Sequence, residues 1–233
     1  TVYNQNRVIN ILNKTYIWTL PTRIFHWGLA IFILITWLSA DDDFLKIHSA
    51  FGYAIGIMIL FRIIWSILGP KYSLLRDLNF DIKKAITFSK NIFTSEEKHL
   101  GHNPAASIIM TLIVIITLLI AITGMFALGE QEAKGLFSSL STTFLKDLEL
   151  FEELHELIAN LLLVLIVMHL AGIFMDKFLH SKDETLKSII TGYKNITGES
   201  VKLTLFQKII SIIFFILTLF IIVFTFLGLS ILY

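Results

Sequence analysis

Five apolar blocks break the distribution of polar residues along the chain, at about 20–40, 45–68, 104–128, 152–175 and 209–233. Within each block the apolar residues run continuously, without the apolar–polar alternation of a membrane β-strand. Each is long enough to cross a hydrocarbon core of about 30 Å, which takes roughly 20 helical residues. The punctuation is helical as well. Asn103 before Pro104 supplies an N-cap ahead of a proline at the first helical position, and Gly69-Pro70 stops the second block. The pattern predicts an all-α protein, an integral membrane helical bundle of five spans. It shows no soluble second domain and no internal repeat.

Composition agrees: 55% of the 233 residues are hydrophobic and only 16% are charged, with a mean hydropathy of +0.77. A soluble domain of this length does not need so much apolar sequence. Cysteine is absent, which removes disulfides, thiolate ligands, cysteine-bound iron–sulfur clusters and covalent CxxCH haem attachment from consideration. A net charge of +1 gives no reason to expect nucleic acid. A polar stretch, Thr1 to Lys14, precedes the first block, so that block is expected to act as its own insertion signal.

Basic residues concentrate where a chain stays cytoplasmic. Arg7, Lys14 and Arg23 lie at the first end, Lys71, Arg76, Lys83, Lys84, Lys90 and Lys98 fill the second loop, and Lys177, Lys182, Lys187, Lys194, Lys202 and Lys208 follow the fourth block. The alternate loops are acidic, with Asp41, Asp42 and Asp43 in one and Glu130, Glu132, Asp147, Glu149, Glu152 and Glu153 in the other. This asymmetry predicts a cytoplasmic N-terminus and, after five spans, a periplasmic C-terminus at Tyr233.

Ionisable residues inside a membrane are costly and mark function by default. Four histidines fall in the apolar blocks: His26, His48, His155 and His169. Any one alone also reads as a hydrogen-bonding partner for a neighbouring helix. As a set they fit a sharper arrangement. His155 and His169 are 14 residues apart, which places them about 40° apart in azimuth and about 21 Å apart along one helix. His26 matches His169 in depth near the cytoplasmic surface, and His48 matches His155 near the outer one. Two imidazoles at each level suit a flat macrocycle held edge-on between helices. Zinc or copper would want three or four converging ligands, whereas an iron porphyrin brings four nitrogens and asks the protein for two. Two haem b groups are therefore expected.

Haem propionates are anionic and need cations where the dielectric is low. Arg23, three residues before His26, and Arg62, 14 residues after His48, are the candidates. Arg23 equally reads as a positive-inside anchor and Arg62 as a snorkelling side chain. Gly28, Gly52 and Gly56 read as small residues for helix packing. Trp18, Trp27, Trp37 and Trp65 read mostly as an interfacial aromatic belt. His99, His102 and His180 fall outside the spans, and His102 is a candidate for reaching a quinone or relaying a proton.

These residues resemble the bacterial cytochrome b561 and nickel–iron-hydrogenase b-type cytochrome superfamily. The matching stretches are Leu20-Pro21-Thr22-Arg23-Ile24-Phe25-His26-Trp27, Ile47-His48-Ser49-Ala50-Phe51-Gly52-Tyr53 with Phe61-Arg62-Ile63-Ile64-Trp65, Gly101-His102-Asn103-Pro104, Leu154-His155-Glu156 through His169, and Ile190-Thr191-Gly192-Tyr193-Lys194. The resemblance implies a four-helix haem core over residues 1–195, with His26, His48, His155 and His169 as axial ligands. The remaining 196–233 form an extension carrying the fifth span. It also implies electron transfer between a periplasmic redox partner, a c-type cytochrome or hydrogenase and reductase subunits, and the membrane quinone pool in a respiratory chain.

Two rival readings are a stand-alone superoxide or quinone oxidoreductase and a proton-coupled transporter with a histidine relay. The acidic outer loops lack the cationic funnel that an anion such as superoxide would favour. No proline or Gly-Pro interruption breaks the spans, as transporter sites commonly require.

Overall fold

The structure, a computed structural model, describes residues 14–91, 99–179 and 185–227. Arg7, Lys98, His180, Lys182, Tyr233 and the side chain of Asp147 lie outside the described residues. In chain order the elements are β1 (Thr15–Tyr16), α1 (Leu20–Leu38), α2 (Leu45–Leu68), α3 (Ile82–Lys90), α4 (Pro104–Glu132), α5 (Leu150–Leu179), α6 (Thr185–Thr191), β2 (Tyr193–Lys194) and α7 (Leu205–Phe226), with short 3-10 turns between some of them. Five of these, α1, α2, α4, α5 and α7, are long and apolar enough to cross a membrane.

The expected spans are all present, with shifted ends. α4 runs on to Glu132 rather than stopping near 128, α5 begins at Leu150 and continues to Leu179, and α7 starts at Leu205 rather than 209. The reason is that apolar composition marks only the part of a helix that needs hydrocarbon. Backbone bonding continues through Gly129-Glu130-Gln131-Glu132 and Asp176-Lys177 whatever the polarity of the side chains. The start of α4 is as the sequence predicts, since the Asn103 Oδ1 accepts the Ala106 N–H at 2.8 Å. Hydroxyls within the spans satisfy themselves by donating to the carbonyl one turn back, as at Thr111, Thr117 and Thr123.

The chain divides into two compact units. The first comprises Thr1–Ile24, Ile64–Thr111 and Val167–Lys208. It is organised by a two-residue antiparallel ribbon in which Thr15 faces Lys194 and Tyr16 faces Tyr193. Gly192, at φ +90°, turns the chain into this ribbon; a Cβ there would stand 2.4 Å from the Tyr16 ring. Ile17, Trp18, Tyr72 and Val201 form its core, with Leu100 and Ile189 against them. Trp18 and Trp65 are not belt residues. They are 8% and 1% exposed, and their ring N–H groups donate to the Ser188 and Thr22 hydroxyls, each at 3.1 Å. Buried indoles need such partners.

The second unit comprises Phe25–Ile63, Leu112–Ile166 and Ile209–Tyr233. Phe61 lies at its centre, within 6.1 Å of Phe25, 5.6 Å of Phe214 and 5.3 Å of Phe215 between ring centroids. On α7, Ser211, Thr218 and Thr225 are buried at seven-residue intervals, which is two turns and therefore one face. The opposite positions of α7, among them Ile212, Ile216, Leu219 and Val223, are exposed. Trp27 and Trp37 are exposed too, as interfacial residues should be.

In the first unit Lys71 donates to Glu199 at 2.6 Å. That hydrogen bond raises the lysine above its ordinary value and holds the glutamate below the usual carboxylate range. The Glu199 contribution to stability is present above an ordinary carboxylate titration and is lost as pH falls through its folded value. The Lys71 contribution is present below an ordinary lysine titration and is lost as pH rises through its folded value. Lys71→Met should therefore lower thermal stability slightly at neutral pH. It should make no difference in strong acid, and the neutral-pH difference should shrink in high salt because both groups are exposed.

Candidate functional site

The second unit brings two of the four predicted histidines together. His48 lies in the first turn of α2, and its Nδ1 is 2.9 Å from the Thr36 carbonyl oxygen in the last turn of α1. The last four carbonyls of a helix have no partner within it, so α1 ends with an acceptor to offer. A carbonyl oxygen only accepts, which fixes the tautomer: Nδ1 carries the proton and Nε2 keeps its lone pair.

His155 is held in the same manner from α4. Its Nδ1 lies 3.2 Å from the Ile120 carbonyl oxygen and 3.3 Å from the Thr123 hydroxyl. A mid-helix carbonyl is ordinarily screened by the side chain four residues on. Here that residue is Gly124, and a Cβ placed on it would stand 2.9 Å from the His155 Cε1. Glycine is what admits the ring to the backbone. The sequence reading singled out Gly28, Gly52 and Gly56 and missed Gly124, Thr36, Ile120 and Thr123. An isolated glycine inside a helical pattern was the one available signal.

The His48 and His155 rings are 6.0 Å apart between centroids, with planes 76° apart. A metal–imidazole nitrogen bond is about 2 Å, so two imidazoles on opposite sides of one metal atom would hold their centroids roughly 6 Å apart. Rotation about the bond axis changes the interplanar angle without moving either nitrogen. The pair, each ring keeping Nε2 free, would suit a group that asks the protein for two nitrogen ligands. Around it, Gly52 on α2 faces open space where a side chain would begin. Among the described residues no group of three or more His, Asp or Glu side chains is arranged to hold a bare metal ion.

The other predicted residues are placed as follows. His26 belongs to the second unit, half-buried in α1 and edge-on to Trp27 at 5.2 Å, with Gly28 beside the Met58 thioether. His169 belongs to the first unit, half-buried in α5. Arg23, in the first unit, donates from Nη1 to the Ile190 carbonyl, which ties the start of α1 to the segment after α5. Arg62 is half-buried within α2. His99 and His102 line an open cleft of ≈ 320 Å³ in the first unit together with Lys71, Tyr72, Asp77, Leu100 and Gly101. There Tyr72 adopts φ 67°, held by its N–H to Asp77 at 2.7 Å and its hydroxyl to the Glu199 carbonyl at 3.1 Å. The His102 ring packs against Trp18 at 5.0 Å.

Glu130 departs from the sequence reading. Expected in an acidic loop, it lies within α4 and is wholly buried. Asp41, Asp42 and Asp43 are exposed as expected, around a 3-10 turn that Asp41 caps.

Comparison with curated proteins and with solved structures finds no match. The family model described as Prokaryotic cytochrome b561 matches residues 17–192. That interval takes in all four histidines and the three helices, α1, α2 and α5, that carry them. The chain belongs to the prokaryotic cytochrome b561 family, multi-pass bacterial membrane proteins of all-α architecture that serve electron transfer as b-type cytochromes.

Proposed function

We propose that the chain is a dihaem cytochrome that carries electrons between a periplasmic redox partner and the membrane quinone pool. The observation that carries the reading is the His48/His155 pair: two imidazoles 6.0 Å apart, each with Nδ1 tied to a backbone carbonyl and Nε2 left as the donor atom. Haem b, when bound, supplies a reversible one-electron couple. His48 and His155 would hold one such group, and His26 and His169 are assigned to the second. Two imidazoles at each group would leave no place for oxygen and would suit outer-sphere transfer. Arg62 and Arg23 are assigned to propionate pairing, Arg23 with the donors its bond to Ile190 leaves over. Residues 1–195 constitute the haem-carrying core, with the α7 segment as an addition to it.

Quinone exchange is assigned to the cleft of the first unit, where His99, His102 and Lys71 offer hydrogen-bond donors to carbonyl oxygens beside the Tyr72 and Trp18 rings. The basic loops on that side make it cytoplasmic, and the acidic loops at Asp41–Asp43 make the other side periplasmic. A basic c-type cytochrome suits that acidic face better than an anionic substrate. Hydrogenase or reductase subunits remain the other class of partner.

Purified protein should contain two low-spin haems per chain by pyridine haemochrome and electron paramagnetic resonance. His155→Ala should remove one and His26→Ala the other. Protein without a Soret band would overturn the reading and leave a histidine relay in its place. Gly124→Val should displace the His155 ring and perturb one haem while leaving the other's spectrum unchanged. Because the chain has no cysteine, single Asp42→Cys and Lys84→Cys variants test topology directly: the first should label from the periplasm and the second only after permeabilisation. Replacing Asp41, Asp42 and Asp43 by Asn should slow exchange with a basic cytochrome c, and the wild-type rate should fall steeply as the Debye length shrinks from about 10 Å at 0.1 M salt to about 3 Å at 1 M. A rate indifferent to both would remove the docking role.

A further inference from the structure

Glu130 has no exposed surface, and a glutamate is almost never fully buried without a partner. Its Oε2 accepts the Phe151 N–H at 3.2 Å, while its Oε1 is buried with no hydrogen-bond partner among the described residues. Phe151 is the second residue of α5. Its N–H is one of the groups a helix start leaves unsatisfied, and the one an N-cap side chain ordinarily serves. The local residue that should supply that cap is Glu149, whose carbonyl already accepts the Glu153 N–H. Glu149 sits at φ 50°, ψ 26°, outside the extended geometry from which an N-cap side chain reaches back over its own helix. The cap therefore comes from another helix, through an oxygen that reaches Phe151 from α4.

The same two helices meet again at once. The Phe151 ring stacks on Phe126 at 4.7 Å, Phe126 packs on Phe137 at 4.2 Å, and one turn beyond Phe151 the His155 Nδ1 meets the Ile120 carbonyl. The rotation of α5 about its own axis determines whether that last bond forms, because a rotation that pulled the ring away from Gly124 would also pull Nδ1 off the carbonyl.

We propose that Glu130 is a positioning residue for His155: its carboxylate oxygen caps α5 from α4 and fixes the rotation at which the imidazole presents Nε2. This rests on the axial-ligand reading above. Two conservative variants separate reach from charge. Glu130→Gln keeps an oxygen at the same distance and removes the acid, whereas Glu130→Asp keeps the acid and withdraws the oxygen by one methylene. The full-length protein in detergent or nanodiscs is read in two ways. Amide hydrogen exchange at Phe151 reports the cap itself, with or without haem. The low-spin resonance and midpoint potential of the haem lost in His155→Ala report the ligand, with the other haem as internal control.

The expected result is that Glu130→Gln matches the parent in both readings. Glu130→Asp should exchange faster at Phe151 by an order of magnitude and shift or broaden the resonance of that haem alone. The proposal is overturned if Glu130→Asp matches the parent, or if Glu130→Gln is the damaged variant, since charge rather than reach would then be the cause. It is equally overturned if both haems change together, which would mean general destabilisation. Protein without haem that still shows the expected exchange pattern would defeat the axial-ligand reading and leave the cap standing.

Discussion

The bond from an imidazole Nδ1 to a backbone carbonyl is the interaction on which the candidate site depends. Inside an apolar helix a histidine has no water to satisfy it, and an unpaired ring nitrogen there costs several times what a typical hydrogen bond returns. Giving Nδ1 a fixed acceptor settles the tautomer, the ring orientation and the direction of the remaining lone pair together. His48 draws its acceptor from the last turn of α1, and His155 draws one from the middle of α4. The two solutions place different demands on the chain. The first needs α1 to stop within a turn of Thr36, and it does, at Leu38. The second needs a helix with no side chain at position 124.

Much of the fold was legible because hydrocarbon imposes a simple rule: about 20 continuous apolar residues, helical, with backbone groups satisfied internally. Asn103-Pro104 and Gly69-Pro70 marked ends that the helices respect, since capping and proline chemistry are local. The far ends of α4 and α5 were illegible because nothing apolar requires a helix to continue through Glu130 or Asp176. For the same reason Glu130 read as a loop residue. Its burial comes from partners more than 20 positions away, Phe151 among them, and no local pattern announces such a pairing.

The candidate site divides along a similar line. That His48 and His155 share a level followed from helical rise alone, and the two rings do meet. The groups that orient them are main-chain carbonyls, which every residue possesses, so Thr36 and Ile120 carry no mark in the sequence. Trp18 and Trp65 were misread for a related reason. A tryptophan near a predicted span end has the same composition signature whether it floats in the interface or is pinned by a serine or threonine hydroxyl, and only the partner distinguishes them.

An electron carrier gains from this manner of construction. The rate of outer-sphere transfer depends on how little the site rearranges when its charge changes, and ligands locked by bonds to helix backbone have little freedom to rearrange. A side-chain partner would add its own rotamers to that motion, whereas a carbonyl belonging to the hydrogen-bonded ladder of α4 moves only if the helix does. Rigidity of the His155 imidazole then reduces to rigidity of α5 against α4. That is set at the helix start, where Phe151 is gripped by both the Phe126 ring and the Glu130 carboxylate. The bond to the Phe151 N–H and the bond from the His155 imidazole, one turn apart on α5, are two ends of a single constraint.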